Sequence, residues 1–152
     1  QGLALGLALC SLSSCSVDGK RLSVPAPSAA DFEQKVYPVL QRDCSFPECH
    51  GSPKRFFRVF GPGRARLRPE TPLFADPTPE ELMQSYDRAR SMLANTGDLD
   101  LSLLLRKPLD RSAGGARHEG RDNWSRNIYL STDAPGYQVL IRWAATAREQ
   151  KP

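Results

Sequence analysis

The stretch Cys44-Ser45-Phe46-Pro47-Glu48-Cys49-His50-Gly51 puts two thiols and an imidazole within seven residues, the histidine directly after the second cysteine. Any fold of this chain has to bring those groups to one locality. Two of the four spacer residues, one of them Pro47, have to loop out wherever both sulfurs face the same partner. The rest of the chain offers little to compensate for a thin core. Its 152 residues are the length of one domain. The low mean hydropathy and thirteen prolines leave less apolar material than a typical enzyme of this size buries. A bound group that adds core of its own would fit that deficit. The net charge of +4 is too modest to demand a nucleic-acid partner, and none is expected.

Three chemistries use such a cluster. In an oxidising compartment Cys44 and Cys49 can close a small-loop disulfide and leave His50 incidental on the surface. With His118, the second of only two histidines, they can form a Cys2His2 zinc site, although zinc ligands more often come as two separated pairs. Alternatively, the two sulfurs can bond to the vinyl groups of a haem while the imidazole of the next residue takes the iron from the proximal side. The Cys-His adjacency suits this third chemistry, whose usual spacer is two residues rather than the four found here. On spacing alone all three stay open.

The front of the chain carries a separate signal. Gly2 to Leu9 form an apolar run too short to span a bilayer, followed by Leu12-Ser13-Ser14-Cys15. A leucine, two small residues and a cysteine resemble the end of a bacterial lipoprotein signal peptide, with Cys15 the residue lipidated after cleavage. Cys10 follows Leu9, a poor residue for that cleavage. This reading assigns residues 1–15 to a signal peptide. It predicts export and a lipid anchor in the cell envelope, at the periplasmic or outer-membrane side. An ordinary secretory signal is the alternative. Residues 16–30 show no periodicity that could build a packed face and are expected to form a flexible tether. The folded domain is then 31–150.

Within that domain the patterning predicts helices joined by long loops. Asp31 is a candidate N-cap for a helix towards Arg42, with Phe32, Val36, Val39 and Leu40 on one face and Pro38 expected to kink or divide it. From Lys54 to Arg68, six basic residues interleave with three phenylalanines and no acid intervenes. The phenylalanines are expected on the core or a cofactor, with some arginines balancing anionic groups, facing solvent or docking an acidic partner. Phe57 and Val59 alternating with Arg58 allow a short strand, and with it a short β-hairpin, ended at Gly61-Pro62-Gly63. Thr78-Pro79-Glu80-Glu81 is a strong helix start. Its stripe is Leu82, Tyr86, Ala89 and Leu93, and its expected end lies near Asn95-Thr96-Gly97. The segment Asp100 to Leu105 reads as a short buried turn halted by Pro108, after which a glycine loop delivers His118. Asn127 to Leu130 read as an extended piece. The last helix opens at Ser131-Thr132-Asp133-Ala134-Pro135 with Tyr137, Leu140, Ile141 and Ala144 inward, widened by Val139 and Trp143.

Three patches resemble the exported cytochrome c domains of planctomycete and myxobacterial proteins. The first is Phe32, Val36 and Tyr37-Pro38-Val39-Leu40 leading into Cys44, Cys49, His50 and Gly51. The second is Ser102, Leu104, Leu105, Lys107 and Pro108, followed by Gly114, Gly115, His118 and Gly120. The third is Tyr137, Leu140 and Trp143 in the last helix. The resemblance implies an all-α, cytochrome c-like domain holding one haem c. Cys44 and Cys49 would carry the thioethers, His50 would be the proximal iron ligand and His118 the distal one, and the last helix would cross the first to close the pocket. Met92 and Met83 are alternative distal ligands, since a thioether commonly stands opposite histidine in cytochromes c, although methionine on such a helix is more often core filler. Two axial ligands leave no open iron position. The implied function is therefore one-electron transfer with a redox partner protein rather than catalysis. No internal repeat, phosphate-binding glycine loop or nucleophile with a local base argues for an enzyme. The alternative from another class is an exported, disulfide-stapled interaction lipoprotein without haem.

Overall fold

In the computed structural model of the chain the described residues are 24–93, 98–120 and 126–149. The signal-peptide segment, Cys10, Cys15, the tether up to residue 23 and the expected helix end at Asn95-Thr96-Gly97 lie outside them.

The first helix begins three residues earlier than the sequence predicts. The hydroxyl of Ser28, not the carboxylate of Asp31, caps it, accepting from the backbone N–H of Asp31 at 3.1 Å. Both residue types make good caps, so tertiary contacts decide. Trp143 Nε1 donates to the carbonyl of Ser28 at 2.8 Å, Ser28 N–H donates to Thr146 Oγ1 at 2.9 Å, and the Tyr86 hydroxyl donates to the carbonyl of Pro27 at 2.7 Å. Residues 27–30, expected to be tether, are thus built into the domain.

Helices α1 (Ala29–Asp31) and α2 (Tyr37–Asp43) are joined without a break by a π-helical segment, Phe32–Val36. There the N–H of Tyr37 reaches back five residues to the carbonyl of Phe32. Pro38 follows immediately. It has no N–H to give, and its ring would crowd the carbonyl four residues earlier in a normal α-turn. The widened turn before it carries the helix past the proline instead of breaking it in two.

The inner face of this rod packs on α3 (Pro79–Ser91) and α5 (Pro135–Glu149). Phe32, Tyr86 and Trp143 form an aromatic triangle with ring centres 5.4 to 6.1 Å apart. Such pairs are worth about 0.5–1.5 kcal/mol each beyond their buried area. Leu40, Leu93, Leu105 and Leu140, all buried, complete the core around it.

Helix α3 starts where the sequence predicts. Thr78 and Glu81 form a reciprocal capping box with Pro79 in the first turn. The Glu81 carboxylate is fully buried and also accepts from Leu67 N–H at 2.9 Å and from Arg66 at 3.0 and 2.7 Å. The Arg66 guanidinium further donates to the carbonyls of Pro72, Ala75 and Asp76. One arginine thereby folds the loop 66–76 onto the start of α3.

After α3 come a 3-10 turn (Leu99–Leu101), α4 (Leu103–Arg106) and a second 3-10 turn (Arg111–Ala113). Leu99, Leu104 and Leu105 are buried, but Leu101 and Leu103 are more than half exposed, so the turn is not buried throughout as predicted. The fold is helical. Phe57 to Val59 do not form a strand, and no β-hairpin occurs among the described residues. Val59 is buried and its N–H donates to the carbonyl of His50 at 2.8 Å, a single rung without a ladder. The extended piece at Asn127–Leu130 makes the one β-bridge of the described residues, a parallel pairing of Tyr129 with Leu109. No helix among the described residues is long and apolar enough to cross a membrane.

Candidate functional site

Beyond Asp43 the chain closes a tight loop. The N–H groups of Cys44 and Ser45 both reach the carbonyl of Leu40, at 3.0 and 2.9 Å, and the N–H of His50 donates to the carbonyl of Cys44 at 3.0 Å. Ser45 is fully buried. Its hydroxyl donates to the carbonyl of Gln41 at 2.8 Å and accepts from Arg64 Nε at 2.9 Å. Phe46, Pro47 and Glu48 are exposed, so the spacer does loop out, while Cys44 and Cys49 both line one cavity. Only glycine fits at position 51. A Cβ there would collide with the carbonyl oxygen of Ser45 and lie 2.6 Å from the Arg64 side chain and 3.0 Å from the carbonyl oxygen of Phe46.

The cavity has a volume of about 320 Å³, within the usual range for ligand pockets. Its wall is mainly apolar, with Leu40, Phe57, Met92, Leu104, Pro108 and Leu140 contributing from five parts of the chain. His50 and His118 both line it. Their ring centres are 5.8 Å apart and their planes 18° from parallel. His50 Nδ1 lies 2.9 Å from the carbonyl of Phe57, and His118 Nδ1 lies 3.1 Å from the carbonyl of Gly120. A carbonyl can only accept, so each Nδ1 carries the proton and the ring's lone pair is on Nε2. Burial is the largest influence on both imidazoles and lowers their pKa below the ordinary histidine value. Both are therefore neutral at neutral pH, the state in which imidazole ligates a metal.

The His118 loop is anchored rather than loose. Gly114 is left-handed, at φ 92°. The N–H groups of Gly115 and Ala116 donate to the carbonyls of Asp110 and Arg106 at 2.9 and 2.7 Å, and Lys107 Nζ donates to the carbonyl of Arg117 at 2.8 Å. At Gly120 an added Cβ would lie 3.1 Å from the His118 ring and 3.9 Å from Cys49 Sγ, which sets the second thiol close to this loop.

Both cysteines are free thiols, so the small-loop disulfide is not formed. Cys44 is buried, and its pKa is pushed up to about 12 by burial and then by the neighbouring charge of Asp43. Nor is the Cys2His2 zinc arrangement formed. Among the described residues no three of histidine, cysteine, aspartate or glutamate converge closely enough to hold a metal ion. Met92 lines the cavity, whereas Met83 is half exposed on α3 and outside the lining.

The basic stretch is not one surface. Arg66 is buried against Glu81, Arg68 pairs with Glu80 at 2.8 Å, and Arg64 pins Ser45. Arg55 lines the cavity together with Lys107 at the end of α4. Phe60 is buried and Phe57 packs beside the His50 ring at 4.6 Å, but Phe56 is 70% exposed. Sequence reasoning missed Asp43, Arg55, Leu103 and Ile128 as lining residues. Asp43 did carry a signal, since an acid at a helix C-terminus is opposed by the helix dipole and calls for a local reason. No protein-family model, no curated protein and no solved structure matches the chain.

Proposed function

We propose that the protein is a c-type cytochrome passing single electrons through one covalently held haem. The observation that carries this reading is the convergence of both motif thiols and both histidines on one apolar cavity. The residues fit the group. Two neutral imidazoles, their ring centres 5.8 Å apart in the wall of one cavity, would be the ligands of its iron. The apolar wall suits the porphyrin faces. Arg55 and Lys107, the two cations in the lining, suit its carboxylates.

In this reading Cys44 and Cys49 would hold the haem through thioethers, and His50 and His118 would hold its iron, with Met92 the alternative to His118. The haem supplies a one-electron couple, and paired imidazoles set it lower than a histidine–methionine pair would. The chain's own contribution is to position and to insulate. The Phe57 and Gly120 carbonyls hold each Nδ1 proton, which orients the rings and raises their basicity as ligands. Burial keeps both rings neutral, and the wall around them is mainly apolar. The protein would act in the cell envelope, tethered through Cys15, and exchange electrons with a redox partner protein. Nucleic acid has no part in it.

The test is haem staining on a denaturing gel of protein made alongside haem-attachment machinery. The wild type should keep its stain, Cys44→Ala and Cys49→Ala should each lose part of it, and the double variant all of it. An unstained wild type beside a stained control cytochrome would reject the reading.

A further inference from the structure

We propose that Asp43 places a fixed negative charge in the cavity wall and holds down the reduction potential of the group bound there. This rests on the cytochrome reading above. Asp43 is the last residue of α2 and the only acid among the described residues that line the cavity. Its carboxylate is only 14% exposed and is clamped from several sides. The Tyr129 hydroxyl donates to Oδ2 at 2.8 Å, and Arg42 donates to both oxygens at 2.6 and 2.8 Å. Gly136, in the first turn of α5, lies against the same carboxylate. A Cβ there would lie 2.7 Å from both Asp43 Oδ2 and the Tyr129 hydroxyl, so the bare glycine lets the positive end of α5 close on the carboxylate.

These contacts work against two opposing effects, burial of the charge and the dipole of α2 itself. They win. The hydrogen bonds of Arg42 and Tyr129 outweigh burial and hold the Asp43 carboxyl below its ordinary range. Its neighbours register the charge: Cys44 is kept protonated first by burial and then by Asp43, and Tyr129 by burial, then by Cys44, then by Asp43. Arg55 and Lys107 are the cations of the lining. A permanent negative charge in a water-poor wall favours the more positive, oxidised form of a one-electron couple and so lowers its potential.

Two variants separate charge from clamp. Asp43→Asn keeps an oxygen for Tyr129 and loses the charge, while Tyr129→Phe loses the hydrogen bond and keeps the charge. In haem-loaded protein, Asp43→Asn should lower the oxidised-to-reduced ratio at a fixed poise by up to about tenfold, an upward shift of about 59 mV for one electron. Tyr129→Phe should shift it far less, or downward. In haem-free protein, Asp43→Asn should also speed alkylation of Cys44 several-fold at constant pH, and Tyr129→Phe should not. Equal upward shifts in both variants would show a clamp rather than a charge and overturn the proposal. An unchanged potential in haem-loaded Asp43→Asn would overturn it alone. A wild-type chain that takes up no haem would overturn both this proposal and the cytochrome reading.

Discussion

Replacing Glu81 by alanine is expected to destabilise the fold by about 3–5 kcal/mol, the usual cost of removing one partner of a buried ion pair. The carboxylate has no exposed surface and Arg66 almost none, 7%. The substitution strands a buried guanidinium, removes the acid half of the capping box and orphans the Leu67 N–H. That would consume a large share of a typical domain's stability, and equilibrium denaturant unfolding measures it directly. The same residue sets an acid limb. Burial pushes the Glu81 carboxyl up, but Arg66 and the two backbone donors outweigh it and hold it below its ordinary value. Over that window the unfolded chain binds more protons than the folded one, so stability rises with pH. Glu81's contribution is therefore present at neutral pH and lost as the pH falls below the usual carboxylate range. In Glu81→Gln that part of the acid limb should be absent. A pair replaced on both sides, Arg66→Met with Glu81→Leu, should recover much of the loss.

Replacing His118 by alanine is expected to convert the haem-loaded protein almost completely from a low-spin to a high-spin spectrum. It should also open the iron to carbon monoxide and cyanide. Fold stability should move by no more than about 1 kcal/mol, because the ring sits on a loop rather than in the core. His118→Met should restore a low-spin spectrum at a raised potential, since thioether ligation raises it. Met92→Ala should leave the spin state unchanged. Should Met92→Ala convert the spectrum while His118→Ala does not, the distal ligand is Met92. Absorption spectra with and without carbon monoxide decide between them.

The site was more legible in the sequence than the fold that holds it. The Cys44-to-Gly51 loop is local, so its spacing calls for two spacer residues, Pro47 among them, to turn outward, and Phe46, Pro47 and Glu48 are the exposed ones. His118 could be singled out because the chain has only two histidines and this one follows a glycine loop. The start of α3 was legible for the same reason, as Thr78, Pro79 and Glu81 act within one turn.

What the sequence hides are choices settled by distant neighbours. Ser28 rather than Asp31 caps the first helix because Trp143 and Thr146 hold it in place. Phe57 and Val59 alternate like a strand, yet Phe57 follows the cavity and the His50 ring while Val59 turns into the core, and no partner strand stands beside them among the described residues. Arg66 lies in the middle of a basic run and looks like solvated charge. Its partner Glu81 is fifteen residues away, so only the folded loop reveals the pair. Pro38 reads as a helix breaker, because a π-turn that absorbs a proline has no recognisable local signature.

The proposed function requires a covalent, low-spin haem held by His50 and His118. The direct test is the absorption spectrum of the purified full chain, made with haem-attachment machinery, oxidised and then reduced with dithionite, and repeated after denaturation and organic extraction. A Soret band with sharp reduced α and β bands, unaltered by carbon monoxide and with the haem retained through extraction, is the predicted result. A colourless protein, from cells in which a control cytochrome is correctly loaded, would contradict it.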